Sequence, residues 1–411
     1  MQEILVHTFS NGLTLVAEPN RSLESAAFSI LLPAGCAYDP ADRNGLAAVT
    51  CELSQRGAGP RDSRELVQDL DNLGVERSDS TSASHISFSG ATLANNLFPA
   101  LEIFSDLIRR PHLPGAQLEA ARSVILQELQ AIEDEPSQKV MLELRKRQYP
   151  DAWGRNSHGE QADVEAISLA DVQRHHADLF QPRGTILGVA GRIDWPRLKD
   201  HVGALLADWS SPPDLPEPAV AERKPSVDHL PHESNQTQIG IAYSSVPYRD
   251  ENYFDAWGGV GVLSGGSSSR LFTEVREKRA LCYTVYASYH TLRDRGAVLC
   301  YAGTTADRAQ KTLDVMLEEL KRLPQGIEAG ELNRLKARIK SSLIMQQESS
   351  SARSGSIARD WYHLGRVRTL SEISEIVDRL SCESINRYLA EHPPQDFIVV
   401  TLGQEPLSVQ P

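Results

Sequence analysis

The sequence predicts an α+β protein made of two homologous domains, each a mostly antiparallel β-sheet backed by α-helices. Three observations carry that prediction. Short strand-like runs alternate with amphipathic helical stretches. A block of these elements recurs at an offset a little above 210 residues. A proline-rich stretch separates the two copies. A chain of 411 residues has room for two domains of ordinary size, and 40% apolar with 24% charged residues is the balance of a globular protein with a buried core.

The first copy opens with a hairpin, because Glu3 to Phe9 and Leu13 to Ala17 are β-rich runs on either side of Asn11-Gly12. Ala26 to Leu32 supplies a third strand that ends at Pro33 and Gly35. Asn44 to Gly57 reads as a helix. A second helix runs from Asp62 to Leu73, with Leu66, Val67, Leu70 and Leu73 as its apolar stripe and Gly74 as its stop. Val75 to Thr92 is hairpin-like and alternates through Ser84-His85-Ile86-Ser87-Phe88-Ser89. A helix follows from Leu97 to Ile108, Pro111 and Pro114 punctuate its exit, and Leu118, Val124, Ile125, Leu129 and Ile132 mark a long amphipathic helix. A helix near Leu169 to Phe180 and a β-run from Thr185 to Gly191 close the copy.

Six prolines lie between Ser210 and Pro231 (Pro212, Pro213, Pro216, Pro218, Pro225, Pro231), with several charges and little apolar content. That composition predicts a semi-rigid, exposed linker over 211–231, dividing a domain at 1–210 from one at 232–411. In the second copy, Val298 to Thr304 answers to Ile86 to Thr92, Pro324 to Pro111, and the helix bearing Leu332 to the one bearing Leu118. The closing helix and strand return as Ser384 to Leu389 and Asp396 to Gly403.

A formal net charge of −13 argues against nucleic-acid and anionic-membrane surfaces, which need basic patches. Five scattered cysteines (Cys36, Cys51, Cys282, Cys300, Cys382) form no Cys-x-x-Cys pair, which disfavours a disulfide framework and favours a reducing compartment. Met1 to His7 lacks a basic region followed by an apolar core, and no run approaches a membrane span, so the expected location is cytoplasmic.

This order of elements, with a Gly-Leu-Ala helix ending in Arg-Gly, a capped helix ending in Leu-Gly, a Glu-rich helix, a proline-rich linker and a second copy, resembles the M16 family of pitrilysin, insulysin and the mitochondrial processing peptidase. The match runs essentially the whole chain, and the length is similar to bacterial members with a single pair of repeats. The resemblance implies the metallohydrolase fold shared by LuxS and the processing peptidase. In active members a His-x-x-Glu-His helix and a Glu about 76 residues beyond its second His hold zinc, and the helix Glu serves as general base. On this sequence Gly45-Leu46-Ala47 matches the lead, Ala48 stands at the first His, Cys51 at the base, Glu52 at the second His and Glu128 at the distal ligand. One ligand position of three keeps its residue type, and the base is gone.

No other histidine pattern replaces the site. None of the twelve stands four residues from another on a helix, His175 and His176 are adjacent, and His229 and His232 lie in the proline-rich stretch. His85, in a strand, reads as structural. Cys51, Glu52 and Glu128 are of types that could bind a cation, but helix neighbours project roughly 100° apart and Cys51 and Glu52 cannot easily face one ion.

The second informative stretch is Leu263 to Tyr283. Its glycines predict a turn, its serines cap a helix from Ser269 to about Arg279, and Leu281 to Tyr289 reads as a strand. It is neither a phosphate loop nor a nucleophile elbow, lacking Gly-Lys-Ser/Thr and Gly-x-Ser-x-Gly. It resembles the family's second-half motif, in which an Arg and a Tyr seven residues apart reach toward the zinc-bound substrate. Arg276 and Tyr283 have that spacing; so do Arg279 and Tyr286, but the Ser-Arg-Leu-Phe lead favours the first pair. A guanidinium and a phenol can donate to a peptide carbonyl and to the oxyanion formed from it.

The resemblance therefore implies a subunit inactive by itself: no cofactor in this chain, zinc in a paralogous partner with an intact His-x-x-Glu-His, an unfolded peptide as substrate, and Arg276 and Tyr283 supplied in trans. An inactive scaffold and a peptidase with a non-standard metal site are the rival expectations.

Overall fold

The computed structural model describes residues 2–211 and 217–409. In chain order the first half contains strands β1 (Leu5–Thr8), β2 (Thr14–Pro19) and β3 (Ser25–Leu32), helices α1 (Leu46–Ser54) and α2 (Ser63–Asn72), strands β4 (Glu76–Thr81) and β5 (Ile86–Leu93), and helices α3 (Leu97–Arg109), α4 (Leu118–Asp134), α5 (Pro136–Gln148), α6 (Gln161–Ala166) and α7 (Leu169–Leu179). Strand β6 (Ile186–Gly191) and helix α8 (Trp195–Leu206) complete it. The second half contains β7 (Ser226–Pro231), β8 (Gln236–Ser245), α9 (Tyr253–Leu263), β9 (Cys282–Thr291), β10 (Gly296–Thr305), α10 (Ala309–Arg322), α11 (Ala329–Gln347), α12 (Ser350–Leu364), α13 (Leu370–Arg379), α14 (Cys382–Glu391) and β11 (Ile398–Gly403).

The strands form two sheets, ordered β1-β2-β6-β3-β5-β4 and β7-β11-β8-β10-β9. Beyond β1 they correspond strand for strand: β2 pairs parallel with β6 and β7 with β11, and the remaining neighbours are antiparallel. The two-copy α+β architecture is thus present. One core fills beneath the first sheet around Phe28, Phe88, Phe104, Leu66 and Leu70, and a separate one beneath the second around Ile239, Val298, Leu313 and Met316.

The compact units are not the two contiguous halves. One comprises Met1–Ala131, Asp151–Val220 and Ile344–Leu370; the other comprises Ile132–Pro150, Ala221–Leu343 and Ser371–Pro411. Helix α5, from the first half, packs on β8, β10 and β11, while α12, from the second half, packs on β2, β3 and β6. Both follow the long helix of their own copy, so the exchange is reciprocal. At Gly188 of β6 an added Cβ would lie 2.4 Å from the Ser354 carbonyl oxygen and 2.9 Å from the Ala358 Cβ, so only glycine lets α12 sit this close to the sheet.

The stretch assigned to the linker is shorter than its composition predicts. Residues 212–216, with Pro212, Pro213 and Pro216, lie outside the described residues, and 217–225 carry no regular element. Ser226–Pro231 is instead an edge strand in register with β11, from Ser226 opposite Ile398 to Pro231 opposite Gly403. An edge position tolerates the terminal proline, whose missing N–H leaves no ladder bond unmade.

Docking of α5 involves a titratable pair. The Tyr149 hydroxyl at its end lies 3.0 Å from His290 Nδ1 on β9, and burial lowers the imidazole pKa from 6.5 to about 4, with Arg145 adding to the shift. Below pH 6.5 the unfolded chain takes up a proton that the folded chain refuses until about pH 4, so this stabilisation is full above 6.5 and is lost as the pH falls. The wild type is expected to lose on the order of 2 kcal/mol more than His290→Gln between pH 7 and pH 4.5, read from denaturant midpoints.

Candidate functional site

Helix α1 begins at a glycine with φ of +101°, Gly45, a conformation that side chains rarely adopt. Its first turn is satisfied from outside the helix. The buried Asp39 carboxylate accepts from the Gly45 N–H at 2.9 Å and the Ala47 N–H at 3.0 Å. Burial pushes the Asp39 pKa up to about 7 against those lowering bonds, and buried His175 of α7 stands 3.7 Å away. Local capping rules look one residue before a helix, so this Asp, six residues before Gly45, gave no signal in the sequence.

On this helix the four positions aligned with the zinc motif have separate surroundings. Ala48 is buried and offers no donor. The Cys51 thiol is buried in the core of the first unit and donates to Asp79 Oδ2 of β4 at 3.4 Å; burial and the neighbouring Asp79 and Glu52 carboxylates raise its pKa, which keeps it a thiol. Glu52 is paired one turn on with Arg56. Glu128 of α4 is paired at 3.0 Å with His158, which precedes α6. These residues do not fit zinc: a thiol turned to a carboxylate and two carboxylates engaged by different side chains are not a converging donor set. Among the described residues no group of three or more His, Cys, Asp or Glu side chains could hold a metal ion. His85 is also engaged locally, with Ser84 Oγ at 2.8 Å from Nδ1 and the Tyr362 ring edge-on at 4.3 Å.

The second unit brings Arg276 and Tyr283 together. The segment expected as an α-helix from Ser269 is wound over Phe272–Glu277 as a π-helix, in which the Lys278 N–H reaches back five residues to the Thr273 carbonyl at 2.9 Å. Such wide turns inside helices recur at functional sites. The Arg276 guanidinium carbon lies 4.7 Å from the Phe272 ring centroid and 4.6 Å from that of Tyr283. Two aromatic faces thus hold the cation while its N–H donors remain at the rim. The nearest acid, Glu277, is 4.0 Å away, beyond hydrogen-bond range, and Tyr283 is 79% exposed. Arg279 is engaged instead, bonding the Glu274 carbonyl at 2.8 Å and its carboxylate at 2.7 Å, and Tyr286 packs 5.3 Å from Tyr301. Of the two pairs with the right spacing, only Arg276 and Tyr283 form an uncommitted donor pair. Burial pushes the pKa of Cys282 beside them up to about 11, against the lowering effect of Arg276, which keeps it a thiol.

Comparison with known proteins adds the following. Residues 14–157 match the family model described as Insulinase (Peptidase family M16), and residues 166–339 match the one described as Peptidase M16 inactive domain. An uncharacterized zinc protease of Bacillus subtilis, YmxG, is 24% identical over 403 residues, covering 97% of both chains. An uncharacterized zinc protease of Mycobacterium tuberculosis is 24% identical over 393 residues, covering 92% of this chain and 88% of the relative. Among solved structures, a peptidase M16 inactive domain from Pseudomonas fluorescens superposes with a TM-score of 0.89 at 22% identity, covering 99% of this chain and 100% of that one. A protease from Helicobacter pylori does so with a TM-score of 0.90 at 20% identity, covering 98% and 100%. No helix among the described residues is long and apolar enough to cross a membrane.

Proposed function

The chain belongs to the M16 peptidase family, and from that premise we propose that it is the non-catalytic, substrate-holding subunit of a two-chain zinc metallopeptidase. Its partner is an M16 paralogue with an intact His-x-x-Glu-His helix, where zinc would polarise the attacking water. This chain contributes Arg276 and Tyr283, whose N–H and O–H groups bind the carbonyl of the peptide bond and then the negative charge that develops on its oxygen.

The observation that carries the reading is the contrast between the two units. The positions aligned with the metal ligands hold a methyl group and two carboxylates engaged elsewhere, and the position aligned with the base holds a buried thiol. The donor pair is stacked and uncommitted. An exposed tyrosine held against an uncommitted arginine favours a substrate-holding role over a scaffold.

The test is reconstitution. The purified chain is expected to bind no stoichiometric zinc and to cleave no unfolded peptide, and adding the zinc-bearing paralogue is expected to produce chelator-sensitive cleavage. Cleavage by the homogeneous single chain, abolished by a chelator, would overturn the proposal in favour of a non-standard metal site. Full activity of the paralogue without this chain would leave it a scaffold.

A further inference from the structure

Helix α9 runs out into the turn Gly265-Gly266-Ser267-Ser268, which the Ser269 N–H closes on the Gly266 carbonyl at 3.0 Å. Helix α11 crosses this turn. An added Cβ at Gly265 would lie 2.2 Å from Arg338 Nη1 and 2.2 Å from the Gly261 carbonyl oxygen, so only glycine lets the guanidinium lie against the turn backbone. Where the two elements meet there is an open cavity of about 230 Å³, whose lining includes Gly265, Gly266, Ser268, Ser269, Arg334 and Arg338.

In a chain with 55 acidic side chains against 42 lysines and arginines, cations have carboxylates in excess. Arg334 and Arg338 nevertheless make no side-chain hydrogen bond or ion pair among the described residues. The one carboxylate lining the cavity, Glu331, is already spent. Its Oε1 accepts from Arg270 Nε at 2.7 Å, and its Oε2 accepts from Arg270 Nη2 and from the Glu328 N–H, both at 2.8 Å. Burial lowers the Arg338 pKa with no carboxylate opposing the shift. The other cations of this stretch are engaged outside the cavity: Lys336 donates to the Asp378 carbonyl at 2.8 Å, and Lys340 pairs with the Asp378 carboxylate at 2.6 Å. On the turn, the N–H groups of Gly266, Ser267 and Ser268 have no protein acceptor among the described residues.

We propose that this cavity binds a phosphate dianion, free or carried as a monoester, between the guanidinium groups of Arg334 and Arg338 and the N–H groups of Gly266 to Ser268. The planar fork of an arginine matches two phosphate oxygens, and successive backbone N–H groups in a turn form a concave donor set for an anion. Two charges on the ligand answer two uncommitted cations; a single carboxylate would leave one of them unmatched. The turn lacks the Gly-Lys-Ser/Thr of a nucleotide loop, and its cations arrive from α11, far along the chain, so residue spacing held no sign of the site. The proposal does not depend on reading the chain as a peptide-holding subunit.

The experiment titrates the full-length chain with inorganic phosphate and, separately, with phenyl phosphate, at constant ionic strength in chloride. Calorimetry reads the affinity, and the amide resonances of Gly266, Ser267 and Ser268 report the place. Saturable binding that shifts those three amides is expected. Arg334→Gln and Arg338→Gln should each weaken it by about tenfold, and the double variant should abolish it. Lys340→Gln removes the same charge from the same helix outside the cavity and should bind as the wild type does. Arg334 and Arg338 are exposed, so both variants should melt at the wild-type temperature, which separates lost binding from lost folding. Tighter binding of inorganic phosphate would assign the site to the free ion, and tighter binding of phenyl phosphate would assign it to a monoester. Absence of saturable binding, unaltered affinity of Arg338→Gln, or an equal loss in Lys340→Gln would overturn the proposal. None of these readouts requires the zinc partner, so failed reconstitution and a failed anion site are separate results.

Discussion

Arg276→Ala in the reconstituted two-chain complex is expected to lower kcat/KM by roughly 10²- to 10³-fold, the loss that follows removal of one donor to a developing oxyanion. Tyr283→Phe, which keeps the ring and deletes only the hydroxyl, should lose about tenfold or more. The cation–π contacts to Phe272 and Tyr283 hold Arg276 at 4.7 and 4.6 Å, so Tyr283→Phe leaves the stack intact and isolates the hydrogen bond. Both residues line the surface of the second unit, and Tyr283 is largely exposed. Neither variant should therefore move the melting temperature of the isolated chain appreciably. Arg279→Ala serves as the control: it breaks a surface pair with Glu274 and should leave turnover unchanged. Equal turnover of wild type and Arg276→Ala would remove the proposed role.

The second large effect concerns the exchanged helix. Arg353 of α12 reaches Glu18 of β2 through Nε at 2.9 Å and Nη2 at 2.7 Å, and both side chains are buried. Removing one partner leaves the other charge buried and unpaired, so Arg353→Ala is expected to cost about 3–5 kcal/mol in the unfolding of the first unit. Glu18→Leu combined with Arg353→Met removes both charges and should recover most of that loss, because an apolar pair of similar volume is often neutral or stabilising. Chemical denaturation of the three chains decides the matter; a double variant as weak as the single one would show that shape, rather than charge, seats α12.

The candidate site was legible in uneven measure. The frame Gly45-Leu46-Ala47 and the missing donors at Ala48, Cys51 and Glu52 could be read directly, because a metal motif is a matter of residue type at fixed spacing. The choice of Arg276 and Tyr283 over Arg279 and Tyr286 rested on flanking residues. Only in three dimensions does Glu274 take up Arg279 and leave Arg276 stacked. Asp39, which satisfies the first turn of α1, and Asp79 and His158, which engage Cys51 and Glu128, lie 6 to 30 residues from the groups they serve and had no local signature.

By itself the sequence determined the α+β class, the duplication and most elements, since hydrophobic periodicity and turn residues act over a few neighbours: β5 and α3 fall where alternation and the apolar stripe put them. The edge strand β7 was hidden because its Ser-Val-Asp-His-Leu-Pro pattern is short and bracketed by prolines. The tertiary structure alone decided that α5 and α12 cross to the sheet of the other half. An apolar helix face specifies that it must be covered, and it does not specify by which sheet. Gly188 and the buried Glu18–Arg353 pair, far apart in the chain, supply that choice.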